Sequence, residues 1–82
     1  MELRQIRYFV KVAELKSFSD AAKTLYISQS TLSQQVKQLE EELGVPLLNR
    51  DSHHVTTNDF GEQFLPYATK VIQDAESCIT RI

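Results

Sequence analysis

The feature that most constrains the fold is the stretch Ser17–Gly44, SFSDAAKTLYISQSTLSQQVKQLEEELG, because it contains two helical patterns only three residues apart. The first pattern rests on Ala21-Ala22 and Leu25, and its two alanines let another helix approach closely. The apolar positions of the second pattern, spaced by four, three and four residues, are Leu32, Val36, Leu39 and Leu43. A short helix, a tight turn and a longer helix together predict a helix-turn-helix arrangement.

Capping residues mark where these two helices begin and end. Ser17 followed by Asp20 resembles a capping box at the start of the shorter helix, with Ser19 as a second candidate cap. Ser28 is the predicted N-cap of the longer helix. Gly44, which is followed two residues later by proline, is the predicted left-handed residue at its end.

Patterned segments also flank the helical pair. Helical spacing over residues 3–15 predicts a first helix. Two short β-type segments, 47–50 and 55–57, surround a polar turn and predict a small hairpin, or wing. An isolated hairpin is marginally stable in water, so we expect it to pack on the helices. Asn58 is the predicted N-cap of a last helix.

The last helix carries an apolar stripe over nearly three heptads. This stripe is wider than a three-helix core can cover, so we expect part of it to pack on a second subunit. The positions predicted for that dimer interface are Phe64, Ala68, Val71, Ile72, Ala75, Cys78, Ile79 and Ile82. Pro66 lacks the amide that would bond to Glu62, so we expect a kink there or a helix that is regular only beyond it.

The net charge of −2 conceals a division along the chain. Residues 1–37 have six bases and three acids, whereas residues 38–82 have three bases and eight acids. This division permits a positive face near the helix-turn-helix, but it does not by itself indicate a nucleic-acid partner. The 82 residues form one small domain with a marginal core, which also favours a partner subunit.

The outer face of the third helix is rich in small and amide side chains. Those directed away from the apolar stripe are Gln29, Ser30, Ser33, Gln34 and Lys37. Gln can bond bidentately to adenine, Ser donates or accepts, and Lys reaches guanine or phosphate. The second helix of a helix-turn-helix enters the DNA major groove, so this face predicts DNA recognition. The alternative is a solvated face, although such faces more often carry Glu, Lys and Ala.

Several co-linear motifs resemble the N-terminal winged helix-turn-helix of LysR-type transcriptional regulators. They are Ala21-Ala22, Ser28-Gln29, Ser33, Leu39-Glu40, Leu43-Gly44 and Leu47-Leu48-Asn49-Arg50. The beginning of the chain, with Leu3, Phe9 and Ser17-Phe18, is similar as well, and the resemblance covers residues 2–82. It implies a mainly α fold of three helices and a small β-hairpin wing, followed by a long dimerisation helix.

The resemblance also implies roles for individual segments. The recognition helix, about 29–43, would lie in the major groove and the wing, 47–57, near the minor groove, with His53-His54 at its tip. The phosphate contacts would come mainly from Thr31 and Arg50. The final helix would pair antiparallel with its mate, so that a homodimer of this bacterial regulator type binds an inverted repeat in double-stranded DNA.

Three positions depart from the pattern of those regulators. His53-His54 replace the usual wing arginine, which predicts a weaker minor-groove contact that depends on pH. Ser30 stands where proline is frequent and could shift the entry to the recognition helix. Phe60 is bulky in a segment that usually runs Leu-Thr-x-Ala-Gly, which leaves the local packing there open.

The remaining groups of polar residues do not indicate an enzyme. The His53-His54 pair lacks a cysteine or carboxylate cluster nearby and is interpreted as surface histidines, not a metal site. The run Glu40-Glu41-Glu42 lies late in a helix and is interpreted as solvated charge, not catalytic carboxylates. Cys78 is interpreted as a small core or interface hydrophobe. We therefore expect no catalytic residue, no metal and no cofactor.

These observations predict a DNA-binding domain over residues 1–58 and a linker and dimerisation helix over residues 59–82. LysR-type regulators continue into an inducer-binding domain that this sequence lacks, so we expect a fragment or truncation, and a small-molecule inducer only through that missing domain. No leader and no apolar run near the ~20 residues of a membrane span is present, which predicts a cytoplasmic protein without membrane contact. The alternative function is a winged helix used only for protein association.

Overall fold

The computed structural model describes residues 1–51 and 54–81 and shows four helices and one hairpin. The elements are α1 (Leu3–Leu15), α2 (Phe18–Leu25), α3 (Gln29–Leu43), β1 (Leu48–Arg50), β2 (Val55–Thr57) and α4 (Asp59–Arg81). The predicted fold, a mainly α winged helix-turn-helix followed by a long helix, is confirmed. No helix within the described residues is long and apolar enough to cross a membrane.

The helix ends lie where the capping residues predicted them. The Ser17 hydroxyl accepts the Asp20 amide at 3.0 Å, and the Ser28 hydroxyl accepts the Thr31 amide at 3.1 Å. Gly44 ends α3 with a φ of +82°, a conformation that glycine adopts without steric cost. These local bonds satisfy helix-end groups that would otherwise depend on water.

The core lies where α1, α2 and α3 meet. Its largest fully buried side chains include Phe9 of α1 and Leu32 and Leu39 of α3. Ala21 and Ala22 are buried as well, and their small size brings α2 close to its neighbours. Burial of this shared apolar surface sets the position of α3, whose opposite face is left to solvent.

The wing is a two-stranded antiparallel hairpin that packs on the helices. Its register pairs Leu48 with Thr57 and Arg50 with Val55. Leu48 and Val55 are buried, as is Leu47 immediately before β1. The Val55 amide also donates to the Lys16 carbonyl at 3.4 Å, which ties β2 to the end of α1. The predicted packing of the hairpin on the helices is confirmed.

Asn58 joins the wing to α4. Its side-chain oxygen accepts the Gly61 amide at 2.8 Å, which confirms it as the N-cap, and its side-chain nitrogen donates to the Pro46 carbonyl at 2.8 Å. A Cβ on Gly61 would lie 2.1 Å from the Leu47 carbonyl oxygen, so only glycine permits this approach. Phe60 is 52% exposed and directed outward, so its bulk does not disturb the packing.

The first part of α4 packs on α1 within the same chain. The Phe64 ring lies 5.6 Å from that of Phe9, and Ala68 and Ile72 are 1% and 9% exposed. These three positions were predicted for a dimer interface; within this chain Ala68 and Ile72 are buried and Phe64 is half-buried against α1, and their part in a dimer stays a prediction. The helix runs without a break from Asp59 to Arg81 and includes Pro66, so the alternative of a helix that forms only beyond this proline is wrong, and the alternative of a kink there stays a prediction.

Candidate nucleic-acid interface

The outer face of α3 presents the predicted DNA-contacting side chains to solvent. Of these, Gln29, Ser30, Thr31, Gln34 and Lys37 are exposed, and Ser33 is half-buried. An α-helix with its side chains is about 10–12 Å across, close to the ~12 Å width of the DNA major groove. The structure therefore brings the helix-three part of the predicted site onto one accessible surface.

The hydroxyls at the start of α3 form a cluster around Ser28. Its Oγ lies 2.8 Å from the Thr31 hydroxyl, to which it donates, and 3.3 Å from the Ser30 hydroxyl. Ser30 and Thr31 are therefore held in place by the N-cap while remaining exposed. Because the helix start also carries unpaired amides and the positive end of the helix dipole, this end of α3 suits an anionic partner.

Three outward side chains have no partner within the described part of the chain. Neither Gln29 nor Gln34 forms a hydrogen bond there through its side chain, and Lys37 forms no ion pair there. A solvated amide or ammonium keeps all its donors and acceptors for an outside molecule. The middle of the outer face of α3 is thus free to contact base edges and phosphates.

Gln5 of α1 was not predicted from the sequence to support the site. It is buried, and its side-chain nitrogen donates at 3.4 Å to the side-chain oxygens of Gln35 and Gln38 on α3. Its own oxygen accepts the Glu2 amide at 3.1 Å. Gln5 therefore couples the start of α1 to the flank of α3. The available signal was its position four residues before Phe9, on the inner side of α1.

A cleft of about 300 Å³ separates α3 from the wing. It is lined by Gln29 and Ser33 of α3, by Arg50, Asp51, His54 and Val55 of the hairpin, and by Ser17, Phe18 and Ser19. Its donors are hydroxyls, one amide, one imidazole and one guanidinium, a set that can hold an anionic backbone. The cleft brings the predicted wing residues Arg50 and His54 beside the first turn of α3.

Arg50, a predicted phosphate contact, has two partners inside the chain. Its Nη2 donates to Glu40 Oε1 at 2.7 Å, and its guanidinium lies 5.2 Å from the centre of the Phe18 ring. The arginine is 38% exposed at its side chain, so part of it still faces the cleft. Its contact with DNA stays a prediction.

Glu40 is not a solvated charge, and that interpretation is wrong for this residue. It is 8% exposed, whereas Glu41 and Glu42 are exposed as predicted. The difference follows from the helix period, since Glu40 comes four residues after the buried Val36 and so lies on the inner face.

The histidine pair lies only partly within the described residues. His53 falls outside them, whereas His54 is exposed and its carbonyl accepts the Asp51 amide at 3.0 Å. Among residues 1–51 and 54–81, no group of three His, Cys, Asp or Glu side chains could hold a metal ion.

Comparison with known families gives one match over most of the chain. Residues 3–62 match the family described as "Bacterial regulatory helix-turn-helix protein, lysR family". This span includes α1, α2, α3, the wing and the first turn of α4.

Two curated relatives align with nearly the whole chain. The HTH-type transcriptional regulator BenM of Acinetobacter baylyi is 46% identical over 80 residues, which are 98% of this chain and 26% of BenM. The Hca operon transcriptional activator HcaR of Escherichia coli is 46% identical over 81 residues, which are 99% of this chain and 27% of HcaR. The chain therefore spans about a quarter of the length of these two relatives.

Two solved structures with DNA superimpose closely on this chain. The crystal structure of the BenM DBD with catB site 1 DNA has a TM-score of 0.94 and 46% identity, covering 99% of this chain and 90% of that chain. The full-length CbnR structure complexed with its target DNA has a TM-score of 0.92 and 37% identity, covering 99% of this chain and 28% of that chain.

Proposed function

The chain belongs to the lysR family of bacterial regulatory helix-turn-helix proteins, and from this premise we propose that it binds double-stranded DNA in a sequence-specific manner. The observation that carries the proposal is the outer face of α3, which leaves Gln29, Gln34 and Lys37 exposed and without partners among the described residues. The relatives are transcriptional regulators and not enzymes, so the activity is regulatory binding without a chemical step.

The proposed DNA contacts fall into two sets, one to base edges and one to the sugar-phosphate backbone. Gln29 and Gln34 can bond adenine edges, and Ser33 sits between them where the helix meets the cleft. Ser30 and Lys37 complete the base-facing set, with Lys37 also within reach of phosphate. Thr31 at the helix start and Arg50 at the cleft contact the sugar-phosphate backbone, which sets the orientation of the helix.

The wing supplies the second point of contact. In this proposal, His53 and His54 lie near the minor groove beside the half-site that α3 contacts. A guanidinium is always charged and presents a planar fork of donors, so a histidine wing attracts the narrow groove less strongly than an arginine would.

Dimerisation is proposed through the part of α4 that the chain's own core leaves uncovered. Val71 and Ile79 are exposed apolar side chains there, and Ala75 and Cys78 lie between them on the same helix. Ile82, predicted for the same surface, falls outside the described residues. Pairing of two such helices would place two copies of α3 over an inverted repeat.

The remaining proposals follow from membership of the family and concern the domain organisation and the setting of this chain. Residues 1–58 would form the DNA-binding domain and residues 59–82 the linker, in a cytoplasmic regulator of transcription. Binding of a small-molecule inducer would belong to a separate domain, because the chain spans only about a quarter of BenM and HcaR.

Selection from a pool of random duplexes, at two salt concentrations, tests the proposal. Bound DNA is recovered and sequenced. We expect enrichment of an inverted repeat at both concentrations, which also gives the half-site spacing. Binding without enrichment that disappears at the higher salt would reduce the function to backbone attraction. If no duplex binds at either salt concentration, protein association becomes the better interpretation.

Substitution of Gln29 tests the assignment of base contacts. We expect Gln29→Ala to relax the preference at one position of the enriched site by about 1–3 kcal/mol, with little change in binding to unrelated DNA. Gln63→Ala removes the same amide at an exposed position of α4 outside the proposed dimer surface and serves as the control. An equal loss on every sequence for Gln29→Ala would contradict the assignment.

A further inference from the structure

Glu40 is a buried carboxylate whose oxygens are occupied by donors from the wing. Oε2 accepts the amides of Leu47 at 2.7 Å and Leu48 at 3.3 Å. Oε1 accepts Nη2 of Arg50 at 2.7 Å. Burial of a carboxylate is costly unless it is paired and hydrogen-bonded, and these three bonds meet that requirement.

The bonds to Glu40 connect α3 with the start of the wing. Glu40 belongs to α3, Leu48 and Arg50 begin and end β1, and Arg50 in turn stacks on Phe18 at the first position of α2. One carboxylate therefore lies at the junction of both helices of the helix-turn-helix and the wing.

The hairpin needs such an anchor because it is small. Each strand has three residues, and a two-stranded hairpin of this length has little independent stability. Its apolar contacts, through Leu47, Leu48 and Val55, hold it against the core but are not directional. The hydrogen bonds that Glu40 accepts are directional and act on Leu47 and on both ends of β1.

We propose that Glu40 is a positioning residue that sets the angle between the wing and α3, so that both reach the same DNA half-site together. The inference rests on the proposed DNA binding, but its structural part concerns the free protein alone. Glu40 itself contacts no DNA, since its carboxylate is buried and directed at Leu47, Leu48 and Arg50. Binding geometry at such sites tolerates shifts of only about 0.5 Å.

The sign of the effect on affinity separates this role from simple electrostatics. Removal of a negative charge close to DNA strengthens binding through the phosphate backbone. Glu40→Gln should instead weaken DNA binding. The glutamine NH2 group is a donor, and it would face the three donors of Leu47, Leu48 and Arg50 that now bond to the carboxylate, so the wing would lose its anchor. Glu41→Gln makes the same change of charge at the next residue, which is exposed and forms no side-chain bond within the described chain.

Amide hydrogen exchange in the free protein is the first measurement. In Glu40→Gln, we expect exchange of the Leu47 and Leu48 amides to accelerate by roughly tenfold or more relative to the slowest core amides. Glu41→Gln should leave both rates unchanged. If the two amides exchange at the wild-type rate in Glu40→Gln, the anchoring role is overturned.

Hydroxyl-radical footprinting on the enriched duplex is the second measurement. We expect Glu40→Gln to lose protection of the sugars beside the wing while keeping the footprint of α3, with affinity reduced about tenfold. Glu41→Gln should bind as tightly as the wild type or more tightly. Uniform loss of both footprints would mean that Glu40 supports the fold and does not position the wing.

Glu40→Asp keeps the measurement decisive if Glu40→Gln does not fold. It retains the charge but shortens the side chain by one methylene, so we expect the same selective loss beside the wing at a smaller magnitude. A wild-type footprint for Glu40→Asp combined with wild-type exchange would overturn the inference. If the wild-type protein binds no duplex, the proposed function fails, whereas the exchange experiment still decides whether Glu40 anchors the wing.

Discussion

The two parts of α4 share one apolar repeat but lie in different surroundings. From Asp59 to Ile72, the helix packs on α1, with Phe64 against Phe9 and Ala68 fully covered. Over residues 73–81, every side chain is exposed except the half-buried Ala75. The 23-residue helix is about 35 Å long, so it extends past the compact body of the domain.

This difference separates two causes of apolar periodicity. In the first part, the repeat exists because the chain's own core requires it. In the second part, Ile79 is 71% exposed, so the chain alone does not explain its apolar character. A surface of this kind is characteristic of association, which is why the dimer proposal rests on the exposed apolar side chains of Val71 and Ile79.

The largest expected effect comes from Phe64 in the first part. Phe64→Ala should lower the free energy of unfolding by about 2–3 kcal/mol, because it leaves a cavity beside Phe9. Val71→Ala, one heptad later and 44% exposed, is the matched control and should cost less than about 1 kcal/mol in dilute solution. Urea denaturation followed by circular dichroism measures both. Equal costs would remove the distinction between covered and exposed apolar positions of α4.

Overpacking of the two parts should give the next largest difference. Ala68→Leu inserts a large side chain where α4 meets α1 and should destabilise the domain by roughly 1–3 kcal/mol. Ala75→Leu makes the same change at a half-buried position and should cost clearly less. Thermal unfolding of the two variants compares them directly. A larger cost for Ala75→Leu would show that the later part is packed in the free chain.

Ile79 should affect association and leave the monomer's stability unchanged. Ile79→Ser should raise the dimer dissociation constant roughly tenfold or more, since burial of an isoleucine contributes about 1.5–3 kcal/mol. Sedimentation equilibrium measures that constant, and unfolding in dilute solution should change by less than about 0.5 kcal/mol. An unchanged dissociation constant would exclude Ile79 from the interface.

The smallest expected effect concerns the ion pair that links α1 to the later part of α4. Arg7 Nη1 lies 3.1 Å from Glu76 Oε1, with both side chains substantially exposed. Arg7→Gln should therefore cost less than about 1 kcal/mol, and the cost should shrink further at high salt because the pair is screened. Lys70→Gln, which breaks the pair with Asp74 inside α4, is the control. A loss above about 2 kcal/mol for Arg7→Gln alone would show that this contact holds α4 on α1.

The sequence predicted most of what depends on neighbours within a helical turn. Ser17, Ser28 and Asn58 each cap a helix by accepting an amide three residues ahead, and each was identified from its residue type and position. The outer face of α3 was predicted for the same reason, because the helix period places Gln34 and Lys37 on the side away from Leu32. The DNA contacts of these residues stay predictions.

The tertiary structure alone decided which groups meet across larger separations. It paired Glu40 with an arginine ten residues away and Gln5 with a glutamine thirty-three residues away, and it packed the Phe64 ring against Phe9 of α1. The physical reason is that residue type and period determine whether a side chain faces inward, whereas its partner depends on which segment the fold brings over it. Glu40 shows this most clearly, since a charge on the inner face could be satisfied only by the wing that packs against it.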